Sequence, residues 1–176
     1  MNELKVLSYD LRKHVVDMII AGKGGHIGGD MSIMEILVEL YMKQMNISPE
    51  NKDLDNRDRF VLSKGHSVES YYAVLAKKGF FPMEEVISTF SQFGSKFIGH
   101  PNNKLPGIEM NSGSLGHGLP VCVGMAMAGK MDRKDYRVYV VMGDGELAEG
   151  SVWEGAMAAS HYCLDNLCAV VDRNRL

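Results

Sequence analysis

The chain has 176 residues, 45% of them hydrophobic and 23% charged, a balance that fits one folded domain and excludes a disordered segment. Its 19 basic and 22 acidic residues leave a net charge of -3 without any run of five or more like charges, which argues against a nucleic-acid partner. The strongly apolar stretches, such as Val15 to Ala21 and Val138 to Met142, fall well below the roughly 18 residues needed to span a bilayer. The mixed-charge N-terminal segment lacks a basic region followed by an apolar one, so no secretory leader is expected. No membrane and a cytoplasmic setting are therefore expected.

In chain order, Leu4, Leu7, Leu11, Val15, Met18 and Ile19 recur at helical spacing up to the glycine-rich stretch from Gly22 to Gly29. A second helix is predicted from about Ser32, as N-cap with Glu35 three positions on, through Ile36, Leu37, Leu40 and Tyr41. Asn46 to Arg59 reads as a connection and Phe60-Val61-Leu62 as a strand. His66 to Lys78 reads as a helix closed by Gly79, and Pro82 opens another. Gly94 to Gly113 is loop-like. Gly116 to Lys130 suits a helix buried among other elements, and Arg137 to Met142 a fully buried strand. A helix from about Ser151 to His161 and a buried strand from Leu167 to Val171 complete a parallel crossover unit. Met31, Met34, Met42 and Met45 read as core filling. Cys122, Cys163 and Cys168 read as small buried thiols in a reducing compartment.

The chemistry gathers where strands end. Gly143-Asp144-Gly145 follows a buried strand, and Asn174 comes 30 residues later at the end of the next one. Both fall at the carboxyl edge of one sheet, where open α/β folds bind ligands and glycines admit a phosphate to the backbone. Asp144 and Asn174 could supply hard oxygen ligands to Mg²⁺. A strand-end Asp-Gly is equally the signature of a tight turn. No phosphate-binding Gly-x-x-x-x-Gly-Lys-Ser/Thr is present, which disfavours a P-loop enzyme. His26, His66 and His100 each follow a glycine, a setting that lets imidazole project into a cleft and move protons near neutral pH. Taken singly, each is more readily a loop histidine making a hydrogen bond.

Five blocks in succession resemble the transketolase family: Gly25-His26-Ile27-Gly28-Gly29, Leu62-Ser63-Lys64-Gly65-His66, Gly99-His100-Pro101, Gly113 to Gly118, and Gly143 to Gly150. The likeness continues through Trp153-Glu154 and Asp172-Arg173-Asn174. It is greatest to the N-terminal subunit of the split bacterial transketolases. It departs at Ile27 and Asp30 in the first block and at His117, where glutamine is common.

This resemblance implies an α/β thiamine diphosphate fold, a parallel sheet flanked by helices, with residues 1–176 forming the diphosphate-binding domain, incomplete at its C-terminus. It implies Mg²⁺ held by Asp144, Asn174 and the carbonyl of Leu176. Gly145 and Asn174 would meet the diphosphate with His66 beside it, and Gly113, Ser114 and Leu115 would touch the thiamine rings. His26 and His100 would contact the sugar near its reacting carbonyl, with Glu149 linking cofactor sites across the dimer. Glu149 also reads as an ordinary glutamate favoured by a helix N-terminus. The implied reaction moves a two-carbon ketol unit between sugar phosphates. It needs a C-terminal subunit carrying the pyrimidine-binding domain, two of each chain in a hetero-oligomer. Rival readings are a noncatalytic fragment that holds a partner, deoxyxylulose phosphate synthase, and the alpha chain of an alpha-ketoacid dehydrogenase.

Overall fold

The computed structural model describes residues 3–175. Leu11, Val15 and Met18 form the buried stripe of α1 (Glu3–Gly22), at the spacing an amphipathic helix requires. Then α2 (Ile27–Glu39) runs on into a π-helical turn at Leu40–Gln44. This helix starts before Ser32, the residue expected to cap it. The Ser32 hydroxyl instead lies 3.0 Å from the Gly29 carbonyl and 2.5 Å from Asp172 Oδ2, and Glu35 pairs with Arg12. Both side chains of the expected capping box have thus been drawn into tertiary contacts.

Three strands follow in the order β1 (Arg59–Leu62), β2 (Val138–Gly143) and β3 (Leu167–Asp172), all parallel, with Arg59 opposite Val138 and Gly143 opposite Asp172. Between β1 and β2 come α3 (Val68–Lys78), α4 (Met83–Thr89) and α5 (Gly118–Met131), and α6 (Gly150–His161) crosses from β2 to β3. Successive strand residues point to opposite faces. Phe60, Leu62, Tyr139 and Val141 accordingly join the core formed with α1 to α4. Val61, Val138, Val140 and Met142 pack with Leu119, Cys122 and Ala126 of α5 and Val152 of α6. Helices cover both faces of β2, which explains its unbroken apolar sequence.

Two expectations need correction. The strand β3 is not fully buried: Cys168, Ala169 and Val171 are exposed, because β3 is an edge strand paired only with β2 among the described residues. Of the three cysteines, only Cys122 is buried, while Cys163 and Cys168 are exposed. No helix among the described residues is long and apolar enough to cross a membrane.

The ends of β1 and β3 are tied by a buried ion pair. Lys64 Nζ lies 2.6 Å from Asp172 Oδ2, with side-chain exposures of 0% and 7%. Breaking such a pair strands a charge out of water, so Lys64→Ala should lower unfolding stability by about 3–5 kcal/mol. A denaturant midpoint equal to that of the unaltered chain would contradict this.

Candidate active site at the carboxyl edge of the sheet

Because the strands are parallel, their carboxyl ends deliver three segments to one edge. After β1 come Ser63, Lys64 and a short 3-10 turn at Gly65–Ser67 that carries His66. After β2 come Asp144 and a second such turn, Gly145–Ala148. After β3 come Asp172 and Asn174. Two loops from elsewhere complete the edge, the segment before α2 with His26 and the long loop from Gly94 to Gly116 with His100.

The three imidazoles meet. The His26 ring centroid is 5.5 Å from that of His66 and 6.2 Å from that of His100, both edge to face. Each histidine reaches the cluster by a separate device. His26 occupies the position just before α2. His66 sits in the turn that leads into α3. The His100 loop is held by the phenol of Tyr72, whose oxygen lies 3.0 Å from the carbonyls of Ile98 and His100. Gly113 packs directly on His100. Its φ of 140° and the 2.6 Å separation between a Cβ built there and His100 Cδ2 require glycine. Burial, and then the charge of Lys64, hold the His66 imidazole below its ordinary pKa, with His26 and His100 adding to the effect. A neutral ring is thereby favoured at neutral pH.

Glu146, which no sequence pattern singles out, organises the backbone of this edge. Its carboxylate is buried and accepts hydrogen bonds from the Ser63 hydroxyl, from Gly116 N at 2.8 Å and from Gly143 N at 3.2 Å. Ser63 Oγ in turn accepts from Gly118 N at 3.1 Å. One side chain thus joins the end of β1, the end of β2 and the loop before α5. An acidic residue in a glycine-rich turn ordinarily faces water, so sequence carries no sign of this role.

The remaining predicted residues are distributed around that frame. Asp144 is half-buried, its Oδ1 accepts from Gly145 N at 3.0 Å, and its own N–H donates to the Asp172 carbonyl. Asn174 is half-buried and donates its N–H to the same carbonyl at 3.1 Å. Gly145 is exposed, with nothing near the place a Cβ would take. Ser114 Oγ and the Leu115 carbonyl lie 3.4 and 3.0 Å from His117 Nδ1, so His117 braces its own loop. Glu149 is exposed and is the N-cap of α6 through its carbonyl, which accepts from Val152 N at 3.2 Å; its side chain makes no capping hydrogen bond and packs against Gly116. Leu176 lies outside the described residues.

Asp144 and Asn174, at adjacent strand ends, could offer carboxylate and amide oxygens of the kind Mg²⁺ takes, and nothing fills the space beside Gly145 where a phosphate could approach. A cavity of about 610 Å³ lined by Asp58, Arg137 and Tyr139 lies at the opposite, amino edge of the sheet, away from every residue above.

Comparison with known proteins gives this geometry its context. Residues 5–176 match the family model described as transketolase, thiamine diphosphate binding domain. One of the subunits of apulose-4-phosphate transketolase from Phocaeicola vulgatus is 53% identical over 173 residues, covering 98% of this chain and 61% of that protein. The 6-deoxy-6-sulfo-D-fructose transketolase subunit SqwG of a Clostridium species is 44% identical over 153 residues, covering 86% of this chain and 55% of that protein. The structure of transketolase from Campylobacter jejuni superposes with a TM-score of 0.90 at 32% identity, over 97% of this chain and 28% of that one. The chain therefore spans less than two thirds of the length of these relatives. It belongs to the transketolase family, within the thiamine diphosphate binding domain.

Proposed function

We propose that this chain is the diphosphate-binding part of the N-terminal subunit of a split transketolase, working in the cytoplasm. With a partner it would transfer a two-carbon ketol unit from a ketose phosphate to an aldose phosphate. The observation that carries this reading is the convergence of His26, His66 and His100 on the sheet edge that also presents Asp144 and Asn174. Relatives named as single subunits of a transketolase support a second chain, which we take to bear the pyrimidine-binding domain in an assembly of two copies of each. On this reading residues 1–176 are a diphosphate-binding domain that continues further along the length of the relatives.

Asp144 and Asn174, with the Leu176 carbonyl, would hold Mg²⁺, and Gly145 would admit the diphosphate next to His66. Gly113, Ser114 and Leu115 would border the thiamine rings. Bound thiamine diphosphate supplies the nucleophilic carbon and the electron sink that carbon–carbon cleavage needs. His26 and His100 would bind the sugar near its reacting carbonyl. As the donor's carbon–carbon bond breaks, the adjacent hydroxyl releases its proton to a neutral imidazole nitrogen, and the acceptor's new hydroxyl recovers one. Glu149, beside the ring-contacting loop, would link cofactor sites across the assembly.

The test is a coupled assay with the complete subunit, its partner, Mg²⁺ and thiamine diphosphate. Ribose 5-phosphate serves as acceptor and a panel of ketose phosphates, including xylulose 5-phosphate and apulose 4-phosphate, as donors. Transfer that requires both chains is expected. Cofactor binding without transfer from any donor would reduce the chain to a noncatalytic binding module. In the same assembly Asp144→Ala should abolish Mg²⁺-dependent cofactor binding, and chelating the metal should do the same to the unaltered enzyme. Unchanged cofactor affinity in the Asp144→Ala titration would defeat the metal-ligand assignment.

A further inference from the structure

Behind the imidazoles, α2 and α3 meet through two acidic side chains that the reading above does not use. Asp30 and Glu69 are both fully buried. Asp30 Oδ1 accepts from Ser70 N and the Asp30 carbonyl accepts from Ser70 Oγ, each at 2.9 Å. The Asp30 N–H donates to the His26 carbonyl at 3.2 Å. Asp30 therefore fastens the first turn of α2, entered from His26, to the helix entered from His66. Glu69 completes the arrangement from below. Its Oε1 fills the space that a Cβ on Gly25 would take, so the residue before His26 rests directly on this carboxyl group.

The remaining oxygens pose a problem of donors. Asp30 Oδ2 and both Glu69 oxygens are buried with no hydrogen-bond donor, and the nearby Ser67 hydroxyl is buried without a partner and reaches none of them. Two ionised carboxylates cannot share such a place, because burial and mutual repulsion both oppose the second charge. A single proton between them removes one charge and supplies the missing donor.

We propose that Asp30 and Glu69 form a carboxylic acid–carboxylate pair that positions the His26 segment against His66, making them positioning residues for the sugar-contacting face. The inference rests on the transketolase reading for what that face does. Burial first, and then the charge of Glu69, push the Asp30 carboxyl up to about 8. The groups that face the pair are consistent with one retained proton. His66 borders Gly29 from the 3-10 turn, Tyr72 feels the Glu69 charge from α3, and α1 contributes the apolar Ile19. The cation nearest along the backbone, Lys64, touches the Gly29 carbonyl at 3.4 Å but is engaged by Asp172.

The experiment compares the assembled enzyme with its Asp30→Asn and Glu69→Gln forms, whose amides supply a donor at every pH. In the unaltered enzyme kcat/KM for the ketose phosphate should fall about tenfold between pH 7 and pH 9, as the shared proton is lost. Each amide variant should stay within about twofold of its own pH 7 value, with cofactor half-saturation unchanged. Equal alkaline losses in all three forms would overturn the proposal. So would no loss in the unaltered enzyme.

A second readout does not need turnover. A carboxyl whose folded pKa is raised binds its proton longer when folded, so it makes stability fall as pH rises from about 4 to about 8. The melting temperature of Asp30→Asn should therefore gain on that of the unaltered protein across this window. Parallel curves would overturn the pair. If the unaltered assembly transfers nothing, the transketolase reading fails and the melting curves alone judge the pair.

Discussion

The contact between Lys64 and Asp172 fixes the geometry on which the site depends. β1 and β3 are not neighbours, since β2 lies between them. A lysine just beyond one and an aspartate ending the other nevertheless meet over the carboxyl end of β2, and Ser32 of α2 closes on the same oxygen. With both charges out of water, each needs the other and little slack remains. The Asp172 carbonyl then receives the N–H groups of Asp144 and Asn174, so the two candidate metal ligands are referenced to one residue.

The edge as a whole has to accommodate several buried carboxylates, and each is satisfied differently. Asp172 has an ammonium ion and a hydroxyl. Glu146 has no cation, but a hydroxyl and two peptide N–H groups surround it. Asp30 and Glu69 have neither in sufficient number, and a retained proton fills the deficit. These arrangements impose rigidity at three different points of one rim, behind the loop before α5, behind the ends of β1 and β3 and behind the His26 segment. Imidazoles and glycines line the exposed side of the rim, while the acids that hold it lie behind them.

Much of the architecture follows from patterns that a linear sequence displays. The stripe of α1, the apolar run of β2 and the crossover through α6 all stand where periodicity and glycine placement put them. Each histidine is conspicuous for its glycine neighbour, yet their meeting depends on how three loops fold over the sheet. The start of α2 departs from expectation because Ser32 and Glu35 have capping chemistry but tertiary partners. Glu146 and Glu69 carry no comparable signal, and Asp30 stands out only as a departure from the family's first block, because acidic residues in turns and helices normally face solvent. Their burial is set by packing that only the folded chain reveals. β3 has a composition like that of β2, and composition states what a strand tolerates, not which neighbours it has.

That outer strand has a practical consequence. Along β3 the backbone pairs on one side only among the described residues, and its exposed Cys168, Ala169 and Val171 are small or β-branched. No lysine, proline or bulge interrupts Leu167–Asp172, the devices by which free sheet edges usually discourage intruders. A preparation of this stretch by itself would expose a template for intermolecular strand pairing, with two accessible thiols, Cys163 and Cys168, ready to lock such contacts by oxidation. Reducing conditions would close that route in any preparation of these residues, independent of any catalytic requirement.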